Sequence, residues 1–282
     1  MAAPVFTPSF RRVVADSQKL VLVPLIENAV QQCAFPKNFV VRLESYAAKR
    51  EPDGWFHPST HPTMDERKLY YYLAHPEKWN EPEWDYGPRM SVLVGTIMHE
   101  VVQTVMIKMG LLVAPKGTCV ACGKPHGKGK GKCDEWGVRD DLLGRRGHMD
   151  GLLDIPGWCE PGAGIFDLKT AAPSSLRGIE SHDLDAFRLK WPYYYGQAQE
   201  YMALTGKLKA LILFLAMSDG WKMVEFTIPR DDLYIARLEA KYRAVRQYVE
   251  MGTPPPVACC TAKAAARKCP ASTCSVKIGF AA

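Results

Sequence analysis

Asp150 and Asp167 each stand alone among apolar neighbours, in "GHMDGLLDI" and "GIFDLKT", and a buried carboxylate costs stability unless something satisfies it. Both stretches read as strands. In a strand, residues two apart share a face, so Asp167 and Lys169 project together while Leu168 turns toward the core. By the same alternation Asp150 shares a face with His148 and Leu152. When the two strands pair, the carboxylates converge, and like charges held that close call for a cation between them. The chemistry implied is a divalent ion beside an amine.

A second set of donors is of a different kind. In "CVACGKPHGKGKGKC", Cys119, Cys122, His126 and Cys133 form a soft ligand set at knuckle-like spacing, which suits tetrahedral Zn²⁺. So short and glycine-rich a loop has too little core to fold alone, and a metal would supply the missing stability. Every charged side chain from Lys116 to Lys132 is a lysine. Lys128, Lys130 and Lys132 would therefore be displayed together, a local positive field where an anionic polymer could be held. Two other readings fail on spacing. His99-Glu100 lacks the second histidine of a zinc peptidase, because position 103 is Gln103, and no Gly-Lys pair has the glycine spacing and following Ser or Thr of a phosphate-binding loop.

The elements that must position these residues follow from periodicity and punctuation. "SVLVGTIMHEVVQTVMIKMGLL" (Ser91 to Leu112) predicts one long, largely buried helix with His99 near its middle. The abrupt change to Gly, Lys, Cys and His between Ala114 and Trp136 marks an insertion. Arg146 to Ile155 and Gly164 to Thr170 read as strands joined by the Pro- and Gly-rich "PGWCEPGAG". Trp191 to Thr205 reads as helix. "KALILFLAMSDGWKMVEFTI" reads as a hairpin around Asp219-Gly220, and Asp231 to Met251 as an amphipathic helix. "RKLYYYLAHPEKW", nearer the N-terminus, packs aromatic rings and suggests no chemistry.

The chain has 282 residues, 47% hydrophobic and 23% charged, with a net charge of +6, the composition of a globular protein that can bury a substantial core. No apolar run approaches the roughly 20 residues that span a bilayer, and the N-terminal "MAAPVFTPSFRR" has no apolar signal-peptide core, so the expectation is a cytoplasmic protein with no membrane partner. There, nine cysteines point to metal before disulfides.

The order of these motifs resembles the PD-(D/E)XK nuclease superfamily, in its RecB-like branch of phage exonucleases and CRISPR-associated adaptation nucleases. The resemblance rests on "GTIMH" ending at His99, "GHMD" ending at Asp150, "DLK" from Asp167 to Lys169 and "QAQEY" from Gln197 to Tyr201. It spans about Ser91 to Thr205. It implies an α/β, restriction-endonuclease-like fold with a mixed central sheet flanked by helices and the Cys/His metal-binding insertion. The parts would be a mostly helical 1–90, a nuclease core at 91–113 and 137–252, the basic insertion at 114–136 and a Cys-rich tail at 253–282. It further implies that Asp150, Asp167, His99 and the carbonyl of Leu168 hold Mg²⁺ or Mn²⁺. Lys169 would orient the attacking water, and Gln197 and Tyr201, on one helical face, would contact substrate or brace the acids.

The activity so implied is DNA hydrolysis, most simply by an exonuclease of phage or bacterial recombination, repair or replication. The alternatives are a degenerate DNA-binding module and a DNA-trimming nuclease with adaptation partner proteins. RecB-like enzymes with a 4Fe-4S cluster draw one cysteine from an early position and three from the tail, which here suggests Cys33, Cys260, Cys269 and Cys274, with Cys259 adjacent. The sequence departs from that pattern at Thr63 and Met64, where the early cysteine usually falls.

Overall fold

The structure is a computed structural model that describes residues 20–31, 52–80, 85–127, 131–158, 163–217, 221–257, 259, 269–272 and 274. Its centre is a mixed sheet of five strands: β1 (Leu112–Val113), β4 (Gly151–Leu153), β5 (Gly164–Ala171), β6 (Lys209–Ala216) and β7 (Met223–Pro229), in the order β1-β4-β5-β6-β7. Only β5 and β6 run parallel; the other neighbours are antiparallel. β2 (Trp136–Asp140) and β3 (Arg145–Met149) form a separate antiparallel ribbon. A parallel pair needs a long crossover, and two helices provide it, α4 (Leu184–Lys190) and α5 (Pro192–Thr205).

β6 is apolar from Ala210 to Ala216, as a strand covered on both faces must be, while β5 breaks its apolar run only at Asp167, Lys169 and Thr170. Phe166 and Leu168 enter one core with α1 (Val23–Gln31) and α3 (Tyr86–Lys108). Ile165, Ile212 and Phe214 enter the other, with Phe187 of α4 and Tyr195, Ala198 and Tyr201 of α5. α2 (Glu66–Ala74) packs beside α6 (Asp232–Glu250), and Phe56 stacks on Tyr242 at a centroid distance of 4.1 Å. The molecule is thus α/β, a mixed sheet flanked by helices with a Cys/His cluster beside it, as the sequence led one to expect.

Three expectations are corrected. The stretch from Arg146 to Ile155 is not one strand: the chain bends at Asp150, leaving β3 in the ribbon and β4 in the main sheet. The sequence hid this because burial continues to alternate from His148 to Leu153 straight through the bend. The helix around His99 begins earlier, at Tyr86, and is not largely buried. Its buried residues are Gly95, Glu100, Val102, Val105 and Met106, because a single face meets the sheet. By length and composition alone that helix is also long and apolar enough to cross a membrane, and 22% of its most apolar stretch is buried. The expectation that no apolar run approached such a length was wrong, although mostly buried core helices can be as long and as apolar. The Asp219-Gly220 turn lies outside the described residues.

Two buried acids in this scaffold have structural partners. Glu225 on β7 is fully buried and accepts the backbone N–H groups of Leu22 and Val23, both at 2.8 Å, and that of Val21. It thereby satisfies the first turn of α1, where a carboxylate also complements the helix dipole. Glu200 on α5 is fully buried and accepts the Tyr242 hydroxyl at 2.8 Å. Burial pushes it up to about 7.

Candidate active site

β4 stops pairing with β5 at Gly151↔Phe166. One residue beyond the ladder, the Asp150 side chain turns back, and its Oδ2 accepts the Leu168 N–H at 2.7 Å. Its backbone carbonyl accepts Gln103 Nε2 at 3.0 Å, so α3 holds the bend from the other side. Its Oδ1 lies 3.3 Å from His99 Nδ1. His99 can come so close because α3 crosses the end of β5 at Gly95, where an added Cβ would sit 2.9 Å from Thr170 Oγ1. That close approach explains why the first residue of "GTIMH" carries no side chain.

Asp167 is 5% exposed, and its Oδ2 lies 2.7 Å from Lys169 Nζ. The ammonium in turn rests over the Tyr194 ring, 4.7 Å from its centroid, a cation-π contact that fixes the amine. Asp150, Asp167, His99 and Lys169 therefore converge, drawn from β4's lead-in, β5 and α3.

The electrostatics of the four are mutually dependent. Burial pushes Asp167 above the usual carboxylate range, and Asp150 adds to this, while Lys169 opposes. Burial acts on Asp150 too, but the charges of His99 and Lys169 and the Leu168 N–H outweigh it and hold Asp150 low. Burial disfavours the His99 imidazolium, yet Asp150 lifts its pKa above the ordinary value.

Two carboxylates and an imidazole are donor types that a divalent cation takes, although their donor atoms do not all lie within 4.8 Å of one another as they stand. The Oδ2 of Asp167 is buried and has no aligned hydrogen-bond donor among the described residues, despite its ion-pair contact with Lys169. The 3.3 Å between His99 and Asp150 is close to the roughly 3 Å that separates adjacent ligands bound at about 2.1 Å on an octahedral ion. Leu168 contributes its N–H to the arrangement, by positioning Asp150.

The remaining expected residues fall as follows. Tyr201 is 2% exposed and donates its hydroxyl to the His148 carbonyl. Gln197 is buried on the same helix. Of the two roles expected for this pair, substrate contact and bracing, Tyr201 makes a bracing contact to the strand just before Asp150. Lys132 lines a cavity of about 510 Å³ between α3 and the insertion, together with His99, Gln103 and Lys124, and with Asp134 and Glu135 on the same wall. Lys128 and Lys130 lie outside the described residues. Tyr194 and Gln103 were not singled out from sequence. "YYYG" and "HEVVQ" mark them only as helix residues, and their roles arise from tertiary approach.

The soft cluster differs from its sequence reading by one ligand. Donor atoms of Cys119, Cys122, Cys133 and His148 all lie within 4.8 Å of one another. His126 is not among them: its Nδ1 faces the Cys133 carbonyl at 3.2 Å and its ring lies near Trp136. The fourth position is filled from β3, because the β2-β3 ribbon sets His148 opposite Gly137, directly under Cys119. In the tail, Cys269 and Cys274 are buried with Tyr70, Tyr71, Tyr72 and Trp79, with Cys259 at the edge. The other two cysteines expected to hold a 4Fe-4S cluster, Cys33 and Cys260, lie outside the described residues.

No protein-family model matches the chain, and no curated protein matches its sequence. Among solved structures, it is similar to an alkaline exonuclease from Laribacter hongkongensis, at 17% identity and a TM-score of 0.46, over 74% of this chain and 93% of that one. The same exonuclease in complex with dAMP is similar over 71% and 89%, at 17% identity and a TM-score of 0.43. A phage-related exonuclease from Haemophilus somnus 129PT is similar over 66% and 79%, at 15% identity and a TM-score of 0.43.

Proposed function

We propose that the protein is a nuclease that depends on Mg²⁺ or Mn²⁺ and hydrolyses DNA phosphodiesters, working as an exonuclease. The single observation that carries this reading is the run of contacts that sets His99 on Asp150, Asp150 on the Leu168 N–H and Lys169 on Asp167, with His99 lining the adjoining cavity. Their order along the chain, with Gln197 and Tyr201 after them, is that of the RecB-like nucleases the sequence resembles.

Asp150, Asp167 and His99 would hold the ion. Bound there, it would lower the pKa of a water and stabilise charge on the phosphate. Lys169, pinned between Asp167 and the Tyr194 ring, donates hydrogen bonds to the incoming water and orients it. In the reaction a bond forms between the water oxygen and phosphorus and the bond to one ribose oxygen breaks. The water's proton ends on that leaving oxygen, so the products are a phosphate monoester and a hydroxyl. The Leu168 N–H and Gln103 keep Asp150 in place throughout, and preorganisation of this kind is what makes charged groups effective in a partly dry site. Histidine among the oxygen ligands favours Mn²⁺ over Mg²⁺.

The test uses linear and covalently closed DNA with Mn²⁺. Wild type releases nucleotides from linear duplex and leaves closed circles intact, whereas Asp167→Asn and Lys169→Ala release none. If both variants digest DNA as fast as wild type, the enzymatic reading fails. If closed circles are cut, the exonuclease part alone fails.

A further inference from the structure

We propose a structural zinc site made by Cys119, Cys122 and Cys133 of the insertion and by His148 Nε2 of strand β3, a Cys₃His clamp that fastens the insertion to the ribbon leading into Asp150. The proposal stands on the donor geometry and does not depend on the nuclease reading.

The donors have the right chemistry and spacing. Around a tetrahedral zinc with sulfur at about 2.3 Å and nitrogen at about 2.0 Å, neighbouring ligand atoms are roughly 3.5 to 3.8 Å apart. Cys119 Sγ lies 3.3 Å from His148 Nε2, and all four donors fall within 4.8 Å of each other. Among the described residues, this is the one group of His, Cys, Asp and Glu donors so gathered.

The backbone is shaped to hold the sulfurs. Gly123 N–H donates to the Cys119 carbonyl at 2.8 Å and Cys119 N–H to the Lys124 carbonyl at 2.8 Å, which closes a tight knuckle around the first two cysteines. Cys133 N–H donates to the Pro125 carbonyl at 3.0 Å and brings the third cysteine back beneath them. Space is left for the cluster in the ribbon as well: a Cβ on Gly137 would sit 2.3 Å from Cys119 Sγ.

The insertion has little apolar core to hold it. Its buried apolar cluster consists of Cys119, Ala121 and Cys133, far too little to offset the entropy of ordering a glycine-rich loop. Binding energy from a metal commonly replaces a core in such units. On loading, the thiols release their protons to solvent and the imidazole binds as the neutral ligand.

Purified full-length protein is expected to carry one zinc at this site, measured by elemental analysis. Replacing the zinc with Co²⁺ should give the visible bands of a tetrahedral ion with three thiolates and one nitrogen. Cys133→Ser and His148→Ala should each lower zinc by one equivalent per chain and change or abolish the Co²⁺ bands. His148→Cys should retain the zinc and shift the bands toward four thiolates, a rescue that a merely misfolded variant would not produce. His126→Ala should leave both readouts unchanged, and so should Asp167→Asn, which alters only the neighbouring oxygen site. The proposal is overturned if wild type holds no zinc that Cys133→Ser removes, or if His126→Ala changes the spectrum while His148→Cys does not.

Discussion

His148 and Asp150 are two residues apart on one run of chain, yet they serve different centres. His148 joins three sulfurs, whereas Asp150 joins a carboxylate, an imidazole and an amine. The bend at Asp150 separates them. Before it the chain belongs to the ribbon that carries the insertion, and after it to the main sheet. The soft cluster has four protein donors, enough to complete a tetrahedral ion, and three of them come from an insertion with little buried core of its own, so its natural task is to hold structure. The hard cluster reaches the cavity beside α3 through His99, and its members are already held by the sheet, by Gln103 and by the Leu168 N–H. Scaffolding of that kind leaves a cation free to act on a substrate.

The comparison breaks most directly at the hard centre. Asp167→Asn and Lys169→Ala should lower the rate of DNA hydrolysis by roughly 10²- to 10⁴-fold, the range for losing a positioned proton-handling group, or more for the carboxylate if it holds the ion. Neither should alter zinc content. Steady-state rates with Mn²⁺, alongside thermal unfolding to show that the fold persists, check the pair. A rate within tenfold of wild type for either variant would mean that the hard cluster is not where chemistry occurs.

The two centres were unequally legible in the sequence. Asp167, Leu168 and Lys169 could be placed from strand alternation alone, because an eight-residue strand buried on both sides leaves little freedom of register. The convergence of Asp150 on Asp167 followed from pairing adjacent strands. His148 was missed as a ligand because "CVACGKPHGKGKGKC" looks complete in itself, with His126 at a plausible spacing. The actual fourth donor arrives through the β2-β3 pairing, which no local pattern encodes. Burial of α3 was overestimated for a related reason: periodicity identifies an apolar face but not how much of it finds a partner.

Another buried carboxylate, Glu200, tests whether burial that outweighs nearby cations leaves a different signature. Its partner is the Tyr242 hydroxyl, and burial pushes its pKa from 4.5 up to about 7. Below pH 4.5 both folded and unfolded chains keep the proton, so the group costs nothing. Between 4.5 and about 7 the unfolded chain releases it while the folded chain holds it, and stability falls; above 7 there is no further change from this group. The loss should total roughly 3 kcal/mol. Glu200→Gln should flatten that part of the stability curve, measured by denaturant unfolding from pH 4 to 8. An unchanged slope would show that Glu200 is already ionised in the fold.

Gly137→Ala is aimed at the soft centre alone. Its new methyl would stand 2.3 Å from Cys119 Sγ and 2.9 Å from the Ala121 nitrogen, so either the sulfur or the ribbon must move. Overpacking of this kind costs about 1 to 3 kcal/mol. The expected result is weaker zinc retention against a chelator and a lower melting temperature, with hydrolysis reduced less than in Lys169→Ala. Retention equal to wild type would show that Cys119 does not need its present position.

The smallest change probes the strip of chain between the centres. Tyr201 donates its hydroxyl to the carbonyl of His148, so one hydrogen bond from α5 steadies both the zinc-facing imidazole and the approach to Asp150. Tyr201→Phe keeps the ring, which is packed in the core, and removes only that donor. Losing one hydrogen bond of this kind costs about 0.5 to 1.5 kcal/mol. Because the strip belongs to both sites, the expected signature is a modest fall in zinc affinity together with a modest fall in hydrolysis rate. Gly137→Ala should affect mainly the first and Lys169→Ala only the second. If Tyr201→Phe lowers thermal stability while leaving both readouts untouched, the bend at Asp150 isolates the two centres and the hydroxyl serves the fold alone.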